Sequence, residues 1–217
     1  MSLGQTTIDQ VMAYCQRDLP TNQKWFEEEF NFIKSASLRK ELAKEFYAAR
    51  YIYKLMEALH VSGVELHAHA KFQIMQYASI YEACINYILK EVYRTHAEVI
   101  KISTHRSLKE VSALSKHTKI SYDGTPALIC LEKPTKTEWT AIPFENKVDA
   151  AVAIGVISGS YAEEIKRFYQ LRNGIHIESA AKRQITYELE QAKLAYRRMS
   201  PFIAEIKAHF ANGTSAP

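Results

Sequence analysis

Glycine and proline are scarce, seven and six residues in a chain of 217, whereas a turn-rich all-β chain needs more of both. Long helices are the expectation. Cysteine is scarcer still: Cys15, Cys84 and Cys130 are odd in number, far apart and outside any CxxC pair. That argues against a disulfide framework and a cysteine-based zinc site, and points to a reducing, cytoplasmic setting. No run approaches the ~18 consecutive apolar residues of a membrane span. The opening MSLGQTTIDQVMAYCQRDL lacks the basic start and apolar stretch of a secretory signal, and its glycine stands at Gly4, which does not suit myristoylation. The expectation is a soluble cytoplasmic protein with no membrane partner. Walker, GxGxxG, HExxH and GxSxG patterns are missing as well, so no cofactor or metal is expected.

Charge decides little. Twenty-eight Lys and Arg against 24 Asp and Glu leave +4, a surplus that tolerates an anionic partner without identifying one. What is abundant is apolar and aromatic: 47% of residues are hydrophobic, with 13 Tyr and 9 Phe, enough for one compact domain with a real core.

Helical periodicity places most of that material. A short lead (Ile8, Val11, Met12, Cys15) precedes the aromatic and acidic stretch KWFEEEFNFI, which carries no clear period. Leu42, Phe46, Ala49 and Met56 then mark an amphipathic helix over 38–59, which HVSGV breaks. Ala70, Ile74, Tyr77, Ala78, Tyr81, Ile85, Ile88 and Val92 recur at three and four residues and predict a central core helix over 66–93. KISYDGTPALICLEKPTKTEWTAI breaks the pattern with a DG turn and β-branched runs, the mark of a strand pair.

Helical patterning returns at Asn146 through VDAAVAIGVISG, YAEEIKRFYQLRNGIHI and AAKRQITYELEQAKLAYRRM. Ser200-Pro201 suits either a new helix start or a kink, and NGTSAP reads as a frayed tail. The organisation expected is a helical lead over 1–37 and a mainly α, up-and-down helical bundle over 38–217, with an extended or β-hairpin insertion at about 100–143.

Two polar lines are candidates for chemistry. On one helix, Arg172 and His176 stand at i and i+4, with Asn173 between them, beside the apolar stripe of Phe168, Leu171 and Ile175. A histidine exchanges protons near neutral pH, and a guanidinium stabilises a phosphate under attack. This pairing suits metal-free RNA cleavage, in which the ribose 2′-hydroxyl is the nucleophile. The same residues suit a helix end whose carbonyls they bond, with Gly174 loosening the turn. The second line is Met75, Ser79, Glu82 and Asn86 on the central helix. A half-buried Glu82 needs a cation, for which Arg172, Lys166 and Arg167 are the candidates.

Other groups are plainer. His67 and His69 point to different faces of a helix and make a poor zinc pair. His96, His105 and His117 read as solvated. Tyr47, Tyr51, Tyr53, Tyr77, Tyr81 and Tyr87 keep helical spacing and read as core or interface residues before base-stacking ones. Lys182, Arg183, Arg197 and Arg198 form either a solvated face or a track for an RNA backbone.

QYASIYEACINYIL, followed some 80 residues later by LRNGIHIES and a long amphipathic helix, resembles the HEPN superfamily, the higher eukaryote and prokaryote nucleotide-binding domains. The resemblance spans roughly residues 66 to 210. It implies a four- or five-helix bundle and a metal-independent endoribonuclease of defence or toxin-antitoxin systems. It also implies a homodimer that assembles the cleft from two motifs, and an antitoxin or other defence partner protein. By the same resemblance Arg172 contacts the scissile phosphate, His176 transfers the proton, Asn173 orients one of them and Glu82 braces the arginine. The family motif separates its Arg and His by four to six residues, whereas three lie between Arg172 and His176. A non-catalytic HEPN-like module that binds RNA or a protein is the alternative.

Overall fold

A computed structural model describes residues 3–17, 19, 23–117 and 120–213. The first two residues of the start peptide and the end of the NGTSAP tail lie outside the described residues. The chain is mainly helical. Helices α1 (Gln5–Arg17), α2 (Gln23–Glu29), α3 (Ala36–Ala58) and α4 (Gly63–Tyr87) come first, and α4 runs on into a π-type turn over Ile88–Val92. After α5 (Ala97–Ile102) come strand β1 (Thr104–Glu110), the single turn α6 (Ser112–Ser115), and strands β2 (Ser121–Tyr122), β3 (Thr125–Pro126) and β4 (Cys130–Lys136). A 3-10 turn at Trp139–Ala141 leads into α7 (Phe144–Ile154), α8 (Gly159–Asn173), α9 (Ile177–Arg183) and α10 (Leu189–Ala211).

Helix α4 is the axis of the molecule, packed against α3, α7, α8 and α10. Its period of three and four residues buries Tyr77, Tyr81 and Ile85 to 1% exposure or less. Tyr81 shows how the packing is fixed: its ring stacks on Phe168 at 5.9 Å and meets Phe202 edge-on at 4.9 Å. Its hydroxyl donates to the Ala195 carbonyl at 2.8 Å, so the one polar atom of a buried ring is satisfied. Each such ring contributes about 1.5–3 kcal/mol of burial.

The stretch KWFEEEFNFI, which has no legible period, supplies core all the same. Phe26 and Phe30 set their rings edge-on to Phe46 of α3 at 5.8 and 6.0 Å, and with Ile33 they belong to the same core as Tyr77 and Phe202. Residues from the helical lead and from the bundle therefore share one apolar cluster.

Helix boundaries depart from the periodic reading in three places. YAEEIKRFYQLRNGIHI is not one helix, because α8 ends at Asn173 and α9 begins after His176. AAKRQITYELEQAKLAYRRM is interrupted where Gln184 turns left-handed at φ 52°. Helix α10 then starts from a capping box in which Glu188 and Gln191 bond each other's backbone N–H. Ser200-Pro201 neither starts nor ends a helix. Pro201 lies inside α10, where the burial of Met199, Phe202, Ile203 and Ile206 on one face outweighs the loss of one backbone hydrogen bond.

The insertion is extended, as its composition predicts, but shorter than 100–143. Strands β1 and β4 pair antiparallel from Thr104↔Lys136 to Glu110↔Cys130, while α5 takes the residues just before β1. Asp123 and Gly124 join β2 to β3 with φ of 49° and 72°, the geometry of a two-residue hairpin turn, which Asp-Gly favours. Every residue of β4 is exposed, so this sheet adds nothing to the core.

Candidate functional site

Helix α8 delivers Arg172 to the flank of α4. Phe168 and Ile165 bury its inner face, which leaves the last turn pointing along the seam where Glu82 lies. Arg172 Nη2 stands 3.5 Å from Glu82 Oε2, with the two side chains 34% and 23% exposed. Of the three cations the sequence offers to Glu82, it is Arg172 that meets it. Lys166 is held instead by Asp149 at 2.6 Å and Glu163 at 2.9 Å, and Arg167 is exposed. The guanidinium also donates from Nη1 to the Tyr169 hydroxyl and to Asn173 Oδ1, both at 3.4 Å. It lies 5.2 Å from the centre of the Tyr169 ring, a cation-π distance.

His176 does not share that stripe. The helix stops at Asn173 and His176 is the N-cap residue of α9, with φ −74° and ψ 122°. It is exposed, and among the described residues its ring makes no hydrogen bond to Arg172, Asn173 or Glu82. The i, i+4 alignment fails because α8 ends before His176, the helix-end reading that the sequence also offers, and Gly174 at that end sits in a tight contact. A Cβ placed there would come within 2.5 Å of Ile185 Cδ1 and 2.8 Å of the Tyr187 hydroxyl. Gly174 is a close-approach glycine, with an ordinary φ of −75°.

The same turn is pinned from two sides. Tyr187 donates to the Leu171 carbonyl at 2.9 Å, and Lys71 of α4 donates to the Ile175 carbonyl at 3.1 Å while lying over the Tyr187 ring. These bonds satisfy carbonyls at the end of α8. The carbonyl partners are therefore Lys71 and Tyr187, while Arg172 turns to Glu82.

The seam continues along the line the sequence drew through Glu82 and takes in residues it did not single out. Asn86, one turn after Glu82, accepts from Trp139 Nε1 at 2.9 Å. Lys147 of α7, only 4% exposed, places its ammonium 4.8 Å from the Trp139 ring centre. Burial holds Lys147 below the ordinary lysine range, and the charge of Glu82 works in the other direction. Tyr169 is pushed up, first by burial and then by Glu82, and its ring lies 4.3 Å from that of Phe144. Tyr169 was open to discovery three positions before Arg172 on one helix. Trp139 and Lys147 carried no such signal, since they enter from the far side of the insertion.

The remaining candidates settle into structural places. His96 caps α5 by accepting from the Glu98 N–H and His105 bonds Thr137, so these two are not merely solvated. His67 meets the Tyr187 ring edge-on at 5.5 Å. Arg198 pairs with Glu164 at 2.7 Å. Among the described residues no group of three His, Cys, Asp or Glu is placed to hold a metal, and no helix is long and apolar enough to cross a membrane.

Chemically, the seam presents a guanidinium that is oriented by a carboxylate yet a third exposed, while the exposed imidazole of His176 stands outside it at the start of α9. A guanidinium so held can grip an oxyanion. No family model, curated protein or solved structure matches the chain.

Proposed function

We propose that the chain is a HEPN-type helical bundle acting as a metal-independent endoribonuclease in a defence or toxin-antitoxin setting. The observation that supports this reading is the Arg172–Glu82 pair across α4 and α8. It gives the motif arginine the brace that the resemblance calls for and leaves part of the guanidinium open to a phosphate. In the reaction, His176 takes the proton of a ribose 2′-hydroxyl. The 2′-oxygen then attacks the adjacent phosphorus, Arg172 stabilises the added negative charge, and the bond from phosphorus to the 5′-oxygen breaks as that oxygen takes a proton from water, leaving a 2′,3′-cyclic phosphate. Asn173 fixes the guanidinium through its Oδ1. The motif pair of a second copy completes the cleft in a homodimer.

A second reading has its own observation in favour. Glu82, Tyr169 and Asn173 already engage Arg172, and His176 stands apart from all of them, as a non-catalytic module that binds RNA or a protein would have it.

The test is incubation of the purified chain with total RNA in EDTA, beside His176→Ala and Arg172→Lys. His176 is exposed and its side chain does not cap α9, so His176→Ala is expected to keep its stability within ~0.5 kcal/mol and to lose cleavage. Cleavage that survives in His176→Ala overturns the role given to His176, and a wild-type chain that is folded, dimeric and inert overturns the nuclease in favour of the second reading.

A further inference from the structure

On the opposite side of α4 from the Glu82 seam, helices α3, α4 and α10 enclose a cavity of about 360 Å³. Its position and its chemistry set it apart from the candidate nuclease site. Gln73 lines it, 1% exposed, and the Gln73 amide nitrogen has no hydrogen-bond partner among the described residues. A buried donor costs about 1–3 kcal/mol unless something accepts from it, so Gln73 offers a hydrogen bond to whatever molecule occupies the cavity.

The charges around it lean the same way. Arg50 and Arg197 both line the cavity, and neither guanidinium has a carboxylate within ion-pair distance among the described residues. Arg50 instead lies 4.4 Å from the centre of the Tyr196 ring. Lys54 and Lys193, also on the wall, are held by neighbours on their own helices, Glu57 at 2.9 Å and Glu190 at 2.7 Å. Four cations thus face a single lining carboxylate, Glu57. Tyr53, Tyr77 and Tyr196 supply the rest of the wall, with Tyr77 buried and its phenol held protonated by that burial.

We propose that this cavity binds a small phosphorylated sugar. Arg50 and Arg197 take the phosphate, since a guanidinium fork matches its oxygens in geometry and charge. The Gln73 amide donates to a ligand oxygen, Glu57 accepts from a sugar hydroxyl, and the tyrosine rings cover the flat face of the sugar. The volume lies near the lower end of the ~300–1,000 Å³ that small-molecule sites span, which admits a sugar phosphate and leaves no room for a nucleic-acid strand.

Isothermal titration of the full chain with ribose 5-phosphate, inorganic phosphate and ribose tests this. Ribose 5-phosphate binds one per chain and more tightly than inorganic phosphate, and ribose alone does not bind. Arg50→Ala, Arg197→Ala and Gln73→Met each weaken ribose 5-phosphate by about tenfold or more, the effect of one lost charge-assisted or buried hydrogen bond. Arg94→Ala, at an exposed arginine that does not line the cavity, binds as wild type, and so does Arg172→Ala, which separates this site from the nuclease reading. The proposal is overturned if the wild-type chain fails to bind ribose 5-phosphate, if inorganic phosphate binds as well, or if Arg94→Ala weakens binding as much as the cavity variants do. Wild-type affinity in the three cavity variants overturns it too.

Discussion

Gln73 and Glu82 stand nine positions apart on α4, half a revolution around the helix, and each faces a polar seam cut into an apolar core. On the Glu82 side the chain supplies the partners. Arg172 answers the carboxylate, Tyr169 and Asn173 answer the guanidinium, and Trp139 answers Asn86. On the Gln73 side, among the described residues, the amide nitrogen is buried without a hydrogen-bond partner and neither cavity guanidinium has a carboxylate within ion-pair distance. The first seam resists removal of its parts because each is needed by another. The second contributes little to folding, and what it holds in readiness is suited to a molecule from outside.

The largest effect expected from that contrast is at Arg172. Arg172→Ala strands a three-quarters-buried carboxylate and costs about 1–3 kcal/mol in urea unfolding, below the figure for a fully buried pair because both groups keep some water. In the double variant with Glu82→Ala the cost is smaller than the sum of the two single ones. Wild-type stability in Arg172→Ala would show the Glu82 seam to be as idle in folding as the other.

Gln73→Met should move little. It removes an unpaired donor and keeps the length of the side chain, so the free chain stays within ~0.5 kcal/mol of wild type or gains stability. A loss of 1 kcal/mol or more would mean that the chain itself satisfies Gln73, and the contrast between the seams would collapse.

The smallest expected effect sharpens the comparison within the Glu82 seam, where Lys147 has no carboxylate at bonding distance among the described residues. Burial lowers its folded pKa beneath the 10.5 of an unperturbed lysine. Between the two values the unfolded chain binds more protons, so stability rises with pH through that window. The cost of the buried charge is thus full below the folded pKa and fades as pH climbs toward 10.5. Lys147→Met, freed of that cost, is expected to gain most over wild type near neutral pH, and its advantage to shrink toward about pH 10. Urea midpoints across that range check it, and an advantage that does not shrink with rising pH rules the charge out as its source.

Much of this arrangement is legible from residue order. Apolar residues at three and four along α4 named its core face, the Asp123-Gly124 pair marked its hairpin, and the helical line through Glu82 and Asn86 anticipated a half-buried carboxylate in need of a cation. The break at Gly174 was one of two readings the sequence offered, a helix end loosened by the glycine, and the choice between them was not legible. The groups packed against Gly174 are Ile185 and Tyr187, eleven and thirteen residues further on, and a period read inside one window has no access to such a contact. The aromatic stretch around Phe26 and Phe30 was opaque for a like reason, since its rings match Phe46 on another helix and follow no period of their own.

The sequence alone therefore determined the helical character, the core face of α4 and the need of a half-buried Glu82 for a cation, with Arg172, Lys166 and Arg167 as the candidates. Those follow from local spacing and from the cost of burying a charge alone. Tertiary structure decided that Arg172 is the cation Glu82 meets, that His176 leaves the arginine's helix, that Lys147 and Trp139 join the seam, and that Gln73 is buried at a cavity it shares with two arginines. Each of these depends on which surfaces from distant parts of the chain exclude water together, and only packing fixes that.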